Sequence, residues 1–155
     1  MSSSAAVDRE YAYFRAVGHF APADITGCVG VEPSESWSEG EEFTRRGHTL
    51  KRRGSSWILR SGLNDTEPLT KHVDALLREL APRRSGLLEA SSMAKLQIVC
   101  VGYYGQSFSW ELETEHVRLA GALNIGFWFD AYSYGDLHEE ITELREQLGV
   151  RTTVL

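Results

Sequence analysis

The run Leu96-Gln97-Ile98-Val99-Cys100-Val101-Gly102 constrains the fold more than any other part of this chain. Leu96, Ile98 and Cys100 occupy one parity of an extended segment, and Gln97, Val99 and Val101 the other. A strand that is apolar on both parities belongs inside a sheet, because a strand with one wet face alternates apolar with polar residues. Tyr11-Ala12-Tyr13-Phe14-Arg15-Ala16-Val17-Gly18 reads the same way, with only Arg15 polar near its centre. Two interior strands require neighbours, and the flanking patterns supply them.

Ser56-Trp57-Ile58-Leu59 and Ile125-Gly126-Phe127-Trp128-Phe129-Asp130-Ala131-Tyr132 are further strands. In the second, Ile125, Phe127, Phe129 and Ala131 share one face, with Trp128, Asp130 and Tyr132 on the other. Between the strands lie amphipathic helices. Pro22 opens a short one that places Ile25, Cys28 and Val29 on one side and is capped by Gly30. A longer helix has Thr66 as N-cap and Pro68 in its first turn. Its apolar stripe is Leu69, Val73, Leu76, Leu77 and Leu80, and Pro82 stops it. A third, from N-cap Thr114, buries Val117, Ala120, Gly121 and Leu123. The last, from Asp136 to Leu148, points Leu137, Ile141, Leu144 and Leu148 at the core.

Strand, helix, strand, helix thus occurs twice, and the first strand of each half contains Val-Gly. The pattern predicts an α+β two-layer sandwich: a mostly antiparallel sheet with helices on one face, built by internal duplication. Residues 1–155 form a single domain. Residues 1–9 are expected to be a disordered lead-in, 10–81 the first unit with a charged insertion at 32–55, and 94–149 the second unit. The insertion runs from an acidic stretch, Glu32 to Glu42, into a basic one containing Arg45, Arg46, Lys51, Arg52 and Arg53, which suggests ribbons of opposite charge side by side.

These residues support a resemblance. Tyr11 to Gly18, the segment Val31-Glu32-Pro33-Ser34-Glu35-Ser36-Trp37 with Gly40, and Gly54-Ser55-Ser56-Trp57-Ile58-Leu59-Arg60-Ser61 resemble the bacterial family called domain of unknown function 4279. His72-Val73-Asp74-Ala75-Leu76-Leu77 and the strand after Lys95 are similar to its later part. That resemblance brings no established activity and no catalytic residue to carry over.

Function has to be sought in chemistry. A formal net charge of -6 argues against a general nucleic-acid binder, which needs a basic face to displace counterions. Cys28 and Cys100 lie in apolar surroundings, outside any CxxC pair or zinc spacing, and read as buried thiols of a cytoplasmic protein. No apolar run is long enough for a membrane span, and the N-terminus lacks the features of a secretion signal. His19, His48, His72, His116 and His138 are scattered; there is no HExxH, P-loop, GxGxxG or GxSxG motif. No metal, cofactor or catalytic group is therefore predicted, and the oligomeric state stays open.

Two binding readings remain. The first is a non-enzymatic protein-binding module, of which an immunity-type inhibitor of a toxin is one form. It would present the acids Asp136, Glu139, Glu140 and Glu143 to a basic partner surface. The second is a small-ligand or anion-binding domain in which Arg46 and Arg53 act beside Trp37 and Trp57. A second aromatic set, Tyr103, Tyr104, Phe108 and Trp110, reads first as packing.

Overall fold

The computed structural model describes residues 8–133, 144 and 146–149. The main sheet has five strands in the order β2-β5-β1-β6-β7: β1 (Arg9–Gly18), β2 (Glu35–Trp37), β5 (Ser55–Arg60), β6 (Ala94–Tyr104) and β7 (Gly126–Ser133). β3 (Glu42–Arg45) and β4 (His48–Lys51) form a separate two-stranded hairpin, in which Glu42 lies opposite Lys51. The expected acidic and basic ribbons do not form as such: in the hairpin acid meets base at this one pair, Arg45 lies on the same strand as Glu42, and Glu35 of the acidic stretch lies on β2 beside β5. β1 and β6 are interior strands, as their apolar parities require. The pairs β1–β5, β1–β6 and β2–β5 are antiparallel, whereas β6–β7 is parallel.

That last pair bears on duplication. The first and second strands of the first unit, β1 and β5, lie antiparallel; their counterparts, β6 and β7, run parallel across the α4 (Thr114–Ala122) crossover. The order of elements repeats and the pairing does not. A parallel pair needs a crossover connection, and a helix of nine residues plus its flanks provides it.

Helices cover one face of the sheet. Ala12, Phe14 and Ala16 of β1, Trp57 and Leu59 of β5, and Leu96, Ile98 and Cys100 of β6 form the floor of the core. The roof is Ile25 and Val29 of α1 (Pro22–Val29), then Leu69, Val73, Leu76, Leu77 and Leu80 of α2 (Leu69–Leu80), Leu87 of α3 (Arg84–Ala90), and Ala120 of α4. The α2 stripe is as expected, with His72 added to its buried face. In α1, Pro22 occupies the first turn and Gly30, at φ 78°, caps the end. Arg83 completes that cap by donating from Nη1 to the carbonyls of Val29 (3.1 Å) and Gly30 (3.2 Å).

Three local expectations are corrected. Thr66 does not cap α2; it is held in an Asx turn, its N–H and hydroxyl both donating to Asn64 Oδ1 at 3.1 Å, and the helix starts at Leu69. In α4 the buried side chains are His116 and Ala120, followed by Leu123, while Val117 is exposed. His116 Nε2 lies 3.5 Å from Asp74 Oδ1 of α2, and turning this polar group toward α2 turns Val117 to water. Leu144 and Leu148 are exposed rather than core-facing, and Leu137 and Ile141 lie outside the described residues.

The N-terminus of α2 is capped from a distance. Glu10 of β1 accepts the Leu69 N–H at 2.7 Å through Oε2 and the Tyr104 hydroxyl at 2.8 Å through Oε1. One carboxylate thereby satisfies an orphan donor at the positive end of the helix and ties α2 to β1 and β6. Gly102 makes room for this arrangement, because a Cβ there would lie 2.2 Å from the Tyr104 ring. Glu10→Ala is expected to cost about 1–2 kcal/mol in urea denaturation. Glu10→Gln, whose amide oxygen still accepts from Leu69, should cost less; equal losses would show that the cap contributes nothing.

Candidate functional site

The face of the sheet away from the helices carries the opposite parity of each strand. Tyr11, Tyr13, Arg15 and Val17 of β1 alternate with the core-facing Ala12, Phe14 and Ala16. The register sets Arg60 of β5 and Val99 of β6 on either side of Tyr13, and Ile58 and Gln97 on either side of Arg15. Beyond β6, Trp128 stands opposite Val99, Asp130 opposite Val101, and Tyr132 opposite Tyr103. The face is a floor of aliphatic residues with arginines and aromatic rings rising around it.

Those groups hold one another. Arg15 Nε donates to Gln97 Oε1 at 3.0 Å, and its guanidinium lies 5.4 Å from the centre of the Trp128 ring. Trp128 Nε1 donates to Asp130 Oδ1 at 3.1 Å. Tyr103 and Tyr132 stack with ring centres 4.9 Å apart, and the Arg9 guanidinium sits 4.7 Å from the Tyr103 ring. Burial raises the Tyr11 phenol above its ordinary range, with Tyr103 adding to the effect. Burial also raises that of Tyr13, against the pull of Arg15. Both rings therefore present neutral hydroxyls at physiological pH.

Two open hollows share Tyr13 as a lining residue. One, of about 390 Å³, is lined by Tyr11, Tyr13, Arg60, Ser61, Leu63 and Asp65. The other, of about 420 Å³, includes Tyr13, Arg15, His19, Trp37, Arg53 and Ile58. Trp37 and Arg53 thus line the same hollow. Trp37 is braced by Arg52, whose guanidinium lies 4.0 Å from the Trp37 ring centre and 3.9 Å from that of Phe43.

The other residues of that reading are elsewhere. Trp57 is fully buried among the helices, edge-on to Phe14 and donating from Nε1 to Thr26 Oγ1 at 2.9 Å. Strand parity decides this: Trp57 lies opposite Ala16 and so faces the core, whereas its neighbours Ser56 and Ile58 face the hollow. Arg46 sits at the hairpin tip with φ 51°, next to Gly47 at φ 78°, and does not line either hollow. Asp136, Glu139, Glu140 and Glu143 lie outside the described residues. The sequence reading missed Tyr13, Arg15, Arg60 and Trp128 as site residues. The signal was a lone Arg15 in an otherwise apolar interior strand.

The family model for the domain of unknown function DUF4279 matches residues 8–134. The chain belongs to this family. The matched span contains both hollows and the whole sheet, so the open face is part of the DUF4279 domain. No curated protein and no solved structure matches the chain. Among the described residues of this DUF4279 member, no helix is long and apolar enough to cross a membrane.

Nucleophilic chemistry has one geometric suggestion. Ser61 Oγ, at the rim of the first hollow, is 2.6 Å from His72 Nδ1. A working base must carry the serine proton on its ring with the second nitrogen oriented by a partner. His72 is fully buried and its Nε2 has no hydrogen-bond partner, so the charged ring would have a buried N–H without an acceptor. Ser61 is instead engaged in the loop, accepting the Leu63 N–H at 3.2 Å. The pair joins α2 to the end of β5. Burial pushes the Cys100 thiol up to about 12, which removes it as a nucleophile. Among the described residues, no group of three or more His, Cys, Asp or Glu side chains could hold a metal ion.

Proposed function

We propose that this domain is a non-enzymatic protein-binding module whose open sheet face takes an extended acidic segment of a partner. The observation that carries the reading is the gathering of Arg9, Arg15, Arg53 and Arg60 among Tyr11, Tyr13, Tyr103, Trp128 and Tyr132 on one face of a chain with formal net charge -6. Glu35, 3.4 Å from the Arg60 guanidinium, Asp65, 3.7 Å from that of Arg9, and Asp130 offset part of that charge. Tyr, Trp and Arg are the side chains that dominate protein interfaces, because they bury much area while losing little conformational freedom per contact. The hollows are open and share Tyr13 as a lining residue, which suits an extended chain better than an enclosed small molecule. Immunity-type inhibition of a toxin is one use such a surface could serve.

A second reading rests on the hollow shared by Arg15, His19, Trp37 and Arg53, whose composition suits a small anion. Fluorescence anisotropy with a labelled Glu/Asp-rich peptide separates the two. The parent is expected to bind at low salt, and the Arg15→Ala/Arg60→Ala double variant should bind about tenfold more weakly or worse. Arg46→Ala should leave binding unchanged. Absence of peptide binding by the folded parent overturns the proposal, as does an unaffected double variant. Stabilisation by inorganic phosphate without peptide binding would favour the small-anion reading, and tighter binding of a single-stranded oligonucleotide would replace both.

A further inference from the structure

The two edges of the sheet are treated differently. β2 is three residues long, carries Glu35 and follows Pro33, all features that discourage another strand from adding. β7 is an eight-residue edge with neither proline nor a basic residue, and Trp128, Phe129 and Tyr132 on it are 47%, 47% and 49% exposed. Among the described residues nothing pairs with its outer side. A long, exposed aromatic edge of this kind is a template for strand addition.

The residues of β7 select what adds. Set antiparallel to itself about Phe129, the strand places Gly126 opposite Tyr132, Phe127 opposite Ala131, and Trp128 opposite Asp130, with Phe129 facing its own copy. Phe129 meets its own copy as an aromatic pair, which cross-strand neighbours favour, and no pair sets like charges against each other. The Trp128 indole N–H, which already donates to Asp130 Oδ1 within the chain, meets a second carboxylate across the pair. Asp130 is the only charged residue of the strand and never faces its own copy. Such self-complementarity is the condition for an isologous two-fold interface.

We propose that a second copy of this chain adds to β7, joining the two sheets edge to edge. Opposed residues of an antiparallel pair point to the same side, so the open faces of the two copies become contiguous. This rests on the β7 edge alone and stands whether or not the open face binds an acidic segment. Sedimentation equilibrium of the full chain over a wide concentration range tests it. The mass should rise from 17.4 kDa toward twice that value. Ala131→Lys should raise the dissociation constant about tenfold or more, with circular dichroism confirming the fold, while Thr49→Lys on the hairpin leaves it unchanged. Under mild oxidation Phe129→Cys should link two copies through a disulfide, and Ala131→Cys, whose opposite residue is Phe127, should not. A parent that stays at 17.4 kDa at all concentrations overturns the proposal. So does a dimer that Ala131→Lys leaves intact and Phe129→Cys fails to link.

Discussion

Trp57→Ala is expected to lower stability by about 3–5 kcal/mol, a large part of what a domain of this size has in reserve. The ring is fully buried between β5 and α1, with its centre 5.9 Å from that of Phe14 at an interplanar angle of 77°. Truncation removes that contact, opens a cavity in a floor that cannot collapse into it, and strips Thr26 Oγ1 of the indole N–H it accepts. The control is Trp37→Ala. Trp37 is only partly buried and stacks on Arg52 at the edge of the sheet, so its loss should cost about 1 kcal/mol or less. Urea midpoints of the two variants measure the contrast. A small shift for Trp57→Ala would mean that the ring does not hold the sheet to α1.

Gly86→Ala carries the second large effect, and its sign runs against helix propensity. Replacing a mid-helix glycine by alanine normally stabilises by about 0.5–1 kcal/mol. In α3, however, a Cβ on residue 86 would lie 1.9 Å from the carbonyl oxygen of Cys28 and 2.8 Å from its carbonyl carbon. Both atoms are backbone of α1, so relief requires the two helices to move apart, at a net cost of about 2–3 kcal/mol. Gly27, in the last turn of α1, has nothing within 4 Å of the corresponding position, and Gly27→Ala should stabilise by about 0.5–1 kcal/mol. Thermal melts of the two variants should therefore move in opposite directions. If Gly86→Ala raises the melting temperature, the close approach of α1 and α3 is not what glycine is there to permit.

These two residues also mark where sequence reasoning succeeds and stops. Periodicity identified the interior strands β1 and β6 and the buried stripe of α2, because burial on a defined parity or helical face leaves a pattern in one dimension. It assigned the faces of β7 correctly for the same reason: Phe127 packs toward the core while Trp128 lies near Arg15. Alternation carries no direction, however, so the parallel β6–β7 pair could not be read, and with it went the difference between the two halves. The α2 cap comes from Glu10, 59 residues before Leu69, beyond any local capping motif. At the site, proximity in the chain misled. Trp57 follows Arg53 closely enough to suggest a shared pocket, yet its parity sends it to the other side of the sheet, and the residue that joins Arg53 in the hollow is Arg15 of a different strand.

The hairpin of β3 and β4 has a place in this fold that invites change. It pairs only with itself, and its links back to the sheet run through the segment around Arg52, whose N–H and carbonyl meet Glu41 and Gly40 and whose guanidinium lies between Trp37 and Phe43. Lengthening or trimming the outer end, from Phe43 to Leu50, would leave every ladder of the five-stranded sheet intact. Relatives could thus diverge in what they recognise by redrawing one border of the hollow at Trp37 and Arg53, without renegotiating the scaffold beneath it.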